Sequence, residues 1–230
     1  VARELRWGRV DETLGEDPFL VGRLGAAMVQ GLQGSSSGEI APDHVAATLK
    51  HFAGYAGTTG GRNRSPYPNG LRHLLDTEIP PFRHVINTTH PASIMAAFNE
   101  IEGLPCHINQ WMLQDVLRKR LGFEGLLVGD YQGLNLVRWY QKIGTSDADV
   151  GSMALKAGLQ LELPNAFGYK HLQKLVQNGD VQEQDIDTAV RQMLSLKFRL
   201  GLFEAPMKLN GDKAEALASS QETNSLAREA

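Results

Sequence analysis

The sequence predicts an α/β fold, a partial (β/α)8 barrel of the TIM type, and three observations lead there. Short apolar runs alternate with amphipathic stretches of helical period, the pattern of parallel strands joined by crossover helices. Two of those runs end in ionisable residues, Lys50-His51 and Asp130, at the strand ends where parallel α/β sheets carry their chemistry. Four strands are readable against the eight a closed barrel needs, so the barrel is partial or further strands are hidden in loops.

Taken in order, Asp17 is placed to N-cap a first helix and Pro18 suits its first position. Val21, Leu24, Met28 and Leu32 recur at helical spacing up to Gly34. Residues 35–43 read as a surface loop, 45–52 as a buried strand, and 54–69 as an irregular Gly-rich loop. Residues 71–88 have a helical pattern that Pro80-Pro81 should break in its middle. A second strand covers 93–98. Asn109 then caps a helix carrying Met112, Leu113, Val116, Leu117 and Leu121, and Gly122 stops it. The third strand, 126–129, delivers Asp130. A helix over 150–157 precedes the fourth strand, 159–163, which Pro164 ends. Of two closing helices the last is the more periodic, with Ile186, Val190, Leu194, Lys197 and Leu200 ahead of Gly201. The barrel domain is expected over 1–205, with the Ala/Glu/Ser-rich residues 206–230 as a linker.

Composition narrows the function. A hydrophobic fraction of 42% and a charged fraction of 21% over 230 residues allow a sizeable core and exclude disorder for the bulk. The net charge is −3, and no basic run exceeds Arg118-Lys119-Arg120, so no nucleic-acid footprint is present. No apolar stretch approaches the roughly 18 residues of a membrane span. The chain opens Val1-Ala2-Arg3 without a signal pattern, which leaves the compartment open. A single cysteine, Cys106, excludes an internal disulfide framework and a Cys-based zinc module, and reads as an inert thiol. The seven His show no zinc-type spacing, and residues 57–63 lack the Gly-Lys-Ser/Thr of a phosphate-binding loop, so no cofactor is expected.

An ionisable residue abutting a buried strand is costly unless paired or held in a cleft. Lys50 or His51 could simply pair with a carboxylate at the rim, and Asp130 could N-cap the next segment. Trp7 reads as core and Arg9 as an ion-pair residue. The residues alone reach an α/β barrel enzyme with a polar site.

Seven stretches appear together in one order: Arg6-Trp7-Gly8-Arg9, Gly15-Glu16-Asp17-Pro18, Lys50-His51-Phe52, Met95-Ala96-Ala97-Phe98-Asn99, Gly122-Phe123-Glu124-Gly125, Val128-Gly129-Asp130-Tyr131, and the run 196–203. In that order they resemble glycoside hydrolase family 3, the β-glucosidase and β-xylosidase family, over nearly the whole chain. The resemblance implies a retaining, exo-acting hydrolase of terminal β-D-glucosyl or β-D-xylosyl residues, working through a covalent glycosyl-enzyme on Asp130. It implies that Arg9, Lys50 and His51 hydrogen-bond the sugar's hydroxyls, that Tyr131 packs beside the sugar, and that Met95 lines the same pocket. A cation-rich surround would favour the ionised nucleophile. The implied partner is a β-linked oligosaccharide or glycoside.

The sequence departs from the family at several places. Gly129 stands where family members carry Ser, and Glu4-Leu5 where they carry Asp-Pro. The family's acid/base in two-domain members is a Glu in a second α/β domain, and an early sugar-binding Asp precedes the Arg-Trp-Gly-Arg run; neither falls within this stretch. Residues 53–61 lack the Asp-x-His of the hexosaminidase branch, while Glu162-Leu163-Pro164 is similar to the xylosidase and glucosidase branches. Two rivals remain at this point: a lyase or aldolase forming a Schiff base on a desolvated Lys50, and a sugar-binding module without turnover.

Overall fold

The structure, a computed structural model, describes residues 1–204 and 210–229. Two compact units divide the chain, Val1–Leu200 and Gly201–Ala230.

In the first unit the strands are β1 (Thr48–Phe52), β2 (Ser93–Ala96), β3 (Glu100–Ile101), β4 (Leu104–Pro105), β5 (Leu126–Tyr131) and β6 (Leu161–Leu163). Four of them form one parallel sheet in the order β1-β2-β5-β6. Helices run between its strands: α1 (Pro18–Gln33) before β1, then α2 (Leu71–His73) and α3 (Ile79–Thr89) before β2. The Trp111–Arg120 helix precedes β5, α4 (Gly133–Trp139) and α5 (Asp147–Lys156) precede β6, and α6 (Leu172–Gln177) and α7 (Glu183–Arg199) follow. This is the expected partial (β/α)8-type barrel, with four parallel strands among the described residues. Its core lies between sheet and helices. Ile94 and Leu127 are register neighbours on β2 and β5, fully buried, and share one cluster with Phe52, Leu113, Leu117, Leu134 and Leu159. Each such side chain contributes about 1.5–3 kcal/mol of burial.

Helix α1 follows the reading residue by residue. Asp17 accepts from the Phe19 and Leu20 amides, Pro18 opens the helix, and Gly34 closes it at φ 73°. Other elements differ from expectation: the second strand ends at Ala96, the third runs on to Tyr131, the fourth starts at Leu161, and the Gly133–Trp139 helix was not anticipated. Strand β1 begins at Thr48 rather than 45, because Gln33, the last residue of α1, reaches over its start. The Gln33 Oε1 accepts from the Ala47 and Ala92 amides, and the Val45 amide donates to the Leu32 carbonyl. Pro80-Pro81 do not break the helix. They fall in the first turn of α3, where no N–H is needed, directly after an i→i+5 turn over Leu74–Glu78. The loop containing Cys106 includes the β3–β4 hairpin, turned by Glu102 (φ 51°) and Gly103 (φ 75°), which was not anticipated.

The layer behind β6 is tight. Gly151 on α5 lies against Gly168, and a Cβ on Gly151 would come within 2.7 Å of the Gly168 carbonyl oxygen. Backbone cannot give way there, so Gly151→Ala should destabilise by about 1–3 kcal/mol, read from the midpoint of a denaturant titration.

The second unit contains α8 (Gly211–Ala218), capped by the Asn210 side chain, and α9 (Gln221–Glu229). Neither helix has a buried residue. Within the expected linker 206–230, residues 206–209 and 230 lie outside the described ones, and the rest is largely these two short helices.

Candidate active site

Strand β5 carries Asp130 as its fifth residue, 9% exposed at the C-terminal end of the sheet. One carboxylate oxygen, Oδ1, accepts the Tyr131 amide at 2.7 Å. The other, Oδ2, is buried and receives no hydrogen bond, and His51 Nε2 stands 3.3 Å from it outside hydrogen-bonding geometry. A local irregularity brings His51 there. Between Leu49 and Phe52, β1 has one more residue than its partner β2, so the pairing slips at Lys50-His51. Among the described residues the Lys50–His51 and Phe52–Ala53 peptides are the non-proline cis bonds.

Burial pushes the His51 imidazole down to about 3, and the charges of Arg9 and Lys50 push the same way. His51 is therefore neutral at ordinary pH and meets Asp130 as a dipole, not as an ion-pair partner. Asp130 is shifted upward, because burial outweighs the Tyr131 amide and the charges of Arg9, Lys50 and Arg64 that oppose it. The cation-rich surround expected to favour the ionised form is therefore not the leading influence. The cations act, but desolvation leads. A buried carboxylate with one undonated oxygen is poised to bond elsewhere.

The wall around this pair comes from segments far apart in sequence. Arg9 binds Glu12 through two bonds of 2.7 Å and lies over the rings of Tyr55 (5.5 Å) and Trp7 (5.8 Å). Trp7 Nε1 and the Tyr55 hydroxyl both donate to Asn63 Oδ1, at 3.1 and 2.6 Å. Tyr55 is edge-on to Trp7, to His51 and to Phe98. The Gly-rich loop thus returns Asn63 to pin two aromatic rings. Gly61 (φ 70°) permits this, since a Cβ would lie 2.7 Å from the Arg6 backbone. Arg64 places its guanidinium 5.2 Å over Phe98.

The structure brings Asp130, His51 and Arg9 together, with Lys50 near enough for its charge to act on Asp130, His51 and Glu12. Tyr131 follows Asp130 and is 61% exposed. Met95, half-buried on β2, pairs in register with Val128, two residues before Asp130. Asp130 is not an N-cap, because α4 starts three residues later after Gln132. Gly129 is not demanded by the backbone either, as a Cβ there would make only contacts of 3.4 Å or more. Lys50 is exposed, which removes the desolvation a Schiff-base lysine would need. Cys106 is fully buried and pushed up to about 12, in keeping with an inert thiol. Glu162 is buried with its oxygens taken by the Gly168 and Tyr169 amides, so it pins a loop.

Sequence reasoning missed Tyr55, Asn63, Arg64 and His107. His107 is 1% exposed, and its Nε2 accepts the Asp130 amide at 3.0 Å. A cavity of about 340 Å³ lies beside this cluster, lined in part by Trp7, Glu12, Lys50, His51 and Tyr55. A larger one, about 1210 Å³, lies by the starts of the strands, near His90, Gly125 and Gln160, and touches none of these residues. Among the described residues no His, Cys, Asp or Glu cluster could hold a metal ion, and no helix is long and apolar enough to cross a membrane.

Parallel strands whose C-terminal ends gather a buried carboxylate, a neutral imidazole and fixed cations define a barrel domain with an enzyme-type polar site. The chain belongs to glycosyl hydrolase family 3: residues 1–196 match that family's N-terminal domain. A β-xylosidase of Formosa agariphila is 33% identical over 222 residues, covering 93% of this chain and 31% of the relative. A β-glucosidase structure from Erythrobacter marinus superposes with a TM-score of 0.94 at 37% identity, covering 100% of this chain and 30% of that one. A mutant β-glucosidase from Listeria innocua, in complex with laminaribiose, gives 0.91 at 33% identity, covering 99% and 32%. The chain therefore spans about a third of the length of these relatives.

Proposed function

We propose that the protein is a retaining, exo-acting β-glycosidase that removes terminal β-D-glucosyl or β-D-xylosyl residues, with Asp130 as nucleophile. The observation that carries this is the buried Asp130 carboxylate at the end of β5, its Oδ2 without a donor and facing His51. The glucosidase and xylosidase names of the family relatives support the substrate class.

In the first step Oδ2 attacks the anomeric carbon as the bond to the leaving-group oxygen breaks, and that oxygen takes a proton from a general acid. In the second, water attacks the same carbon, gives up a proton to the conjugate base, and frees the Asp130 carboxylate. Arg9, Lys50 and His51 donate to the sugar's hydroxyls, Tyr131 packs beside the ring, and Met95 lines the subsite. Such contacts tighten in an oxocarbenium-like transition state and supply several kcal/mol in glycosidases generally. The acid/base is assigned to a second domain of the intact protein, with residues 206–230 leading towards it. No cofactor enters the scheme.

Retention tests the reading directly. Proton NMR of early turnover by the intact enzyme should show the β-anomer of the free sugar before mutarotation; an α-anomer first would overturn it. The acid limb of activity gives a second check. Lys50 lowers the pKa of Asp130, and the nucleophile must be ionised. Lys50→Gln should therefore move the acid limb of kcat/KM to higher pH, measured as a pH–rate profile.

A further inference from the structure

We propose that His107 is a positioning residue for Asp130, a neutral imidazole that accepts the nucleophile's own backbone N–H and so sets the direction of its carboxylate. The proposal rests on the assignment of Asp130 as nucleophile.

The pairing of β5 with β6 slips between Val128 and Tyr131, where β5 carries one more residue than its partner. On the other side, the β2–β5 ladder pairs residues only as far as Met95 with Val128. The Asp130 N–H is thus outside the regular ladder, in a buried place where an unpaired amide is costly. His107 Nε2 takes it at 3.0 Å. The Ala97 backbone, just past the end of β2, faces the same ring closely enough to oppose the effect of burial on it. The neutral tautomer with its proton on Nδ1 leaves Nε2 to accept from the Asp130 amide. Burial pushes the ring down to about 4, which keeps Nε2 free to accept.

The surroundings fit the ring. A Cβ on Gly133 would lie 2.1 Å from His107 Nε2, so the first residue of α4 is bare where the imidazole needs room. Phe98 lies 5.9 Å from His107 by ring centroids, and the Phe98 ring also meets Tyr55, which touches His51. His107 therefore ties the strand end that carries Asp130 to the wall that carries His51. A purely structural role would show in stability alone. A positioning role must show in the rate of bond formation.

The test uses the intact enzyme and a 2,4-dinitrophenyl 2-deoxy-2-fluoro-β-glycoside, whose leaving group needs no proton. The readouts are the maximal rate of covalent capture, the half-saturating concentration, and the melting curve. His107→Met removes the acceptor, and should slow capture by about tenfold or more while half-saturation stays within about threefold. His107→Gln keeps a side-chain oxygen that can accept from the Asp130 amide, and should keep capture within about threefold of wild type. A folded Met variant with the wild-type rate, or a Gln variant as slow as Met, overturns the proposal. Should His107→Met fail to melt cooperatively, Gly133→Ala decides. Its Cβ displaces the ring while leaving the imidazole present, so capture should slow similarly, and an unchanged rate overturns the proposal. Peptide mapping of the wild type separates the two levels. A label on a residue other than Asp130 overturns the nucleophile reading and the role of His107 with it.

Discussion

Asp130→Ala in the intact enzyme should lower kcat on an aryl β-glycoside by at least about 10³-fold, equivalent to about 4 kcal/mol of barrier. In the proposed reaction the variant removes the carboxylate that bonds the anomeric carbon, and water cannot take its place on the same face without changing the stereochemistry. Added azide or formate should partly restore turnover by occupying the vacated space. Folding should survive. The carboxylate is shifted upward in the native state, so its contribution to stability is present below the unfolded carboxylate range and is lost as pH rises through the folded value. At neutral pH the ionised group is a liability to the empty protein, and removing it relieves that cost while giving up one hydrogen bond to the Tyr131 amide. The melting temperature should therefore stay near that of wild type, or exceed it. Retention of more than about a tenth of wild-type kcat, a loss below about 1.4 kcal/mol, would be incompatible with the assignment.

The second large effect is expected at His51. Its ring is the neighbour of the undonated Asp130 oxygen and meets Tyr55 edge-on at 5.0 Å. His51→Ala should cost about 10²-fold in kcat/KM, the scale seen when a preorganised donor is removed, together with a modest fall in melting temperature from the lost ring contact. Lys50→Ala makes the contrast. Lys50 is exposed, so its loss should leave melting nearly unchanged while kcat/KM falls. If both variants lose stability in proportion to activity, the strand end serves packing rather than the sugar.

Local signals carried much of this architecture. The cap at Asp17, the proline after it and Gly34 mark α1 because each acts within one turn of its neighbours. Asp130 could be picked out because the apolar run before it is unbroken. What sequence reading missed depends on partners far along the chain. Gln33 shortens β1 by taking the Ala47 amide, 14 positions away, and no pattern within residues 45–52 signals that. Asn63 acts on Trp7 across 56 positions, and His107 on Asp130 across 23. Their local surroundings, a Gly-rich loop and a short stretch after a proline, show no periodicity to single them out. The balance at Asp130 was equally unreadable. Counting Arg9 and Lys50 suggests a lowered carboxylate, and only burial, a property of the folded chain, reverses the direction.

The most direct measurement is the site of covalent capture. The intact enzyme should be incubated with a 2,4-dinitrophenyl 2-deoxy-2-fluoro-β-glycoside until inactive, digested with pepsin and sequenced by tandem mass spectrometry. One sugar per protein is expected, esterified to Asp130 within the peptide containing Val128-Gly129-Asp130-Tyr131. A label on Glu12 or Glu162, or rapid turnover of the reagent with no adduct at Asp130, would contradict the account.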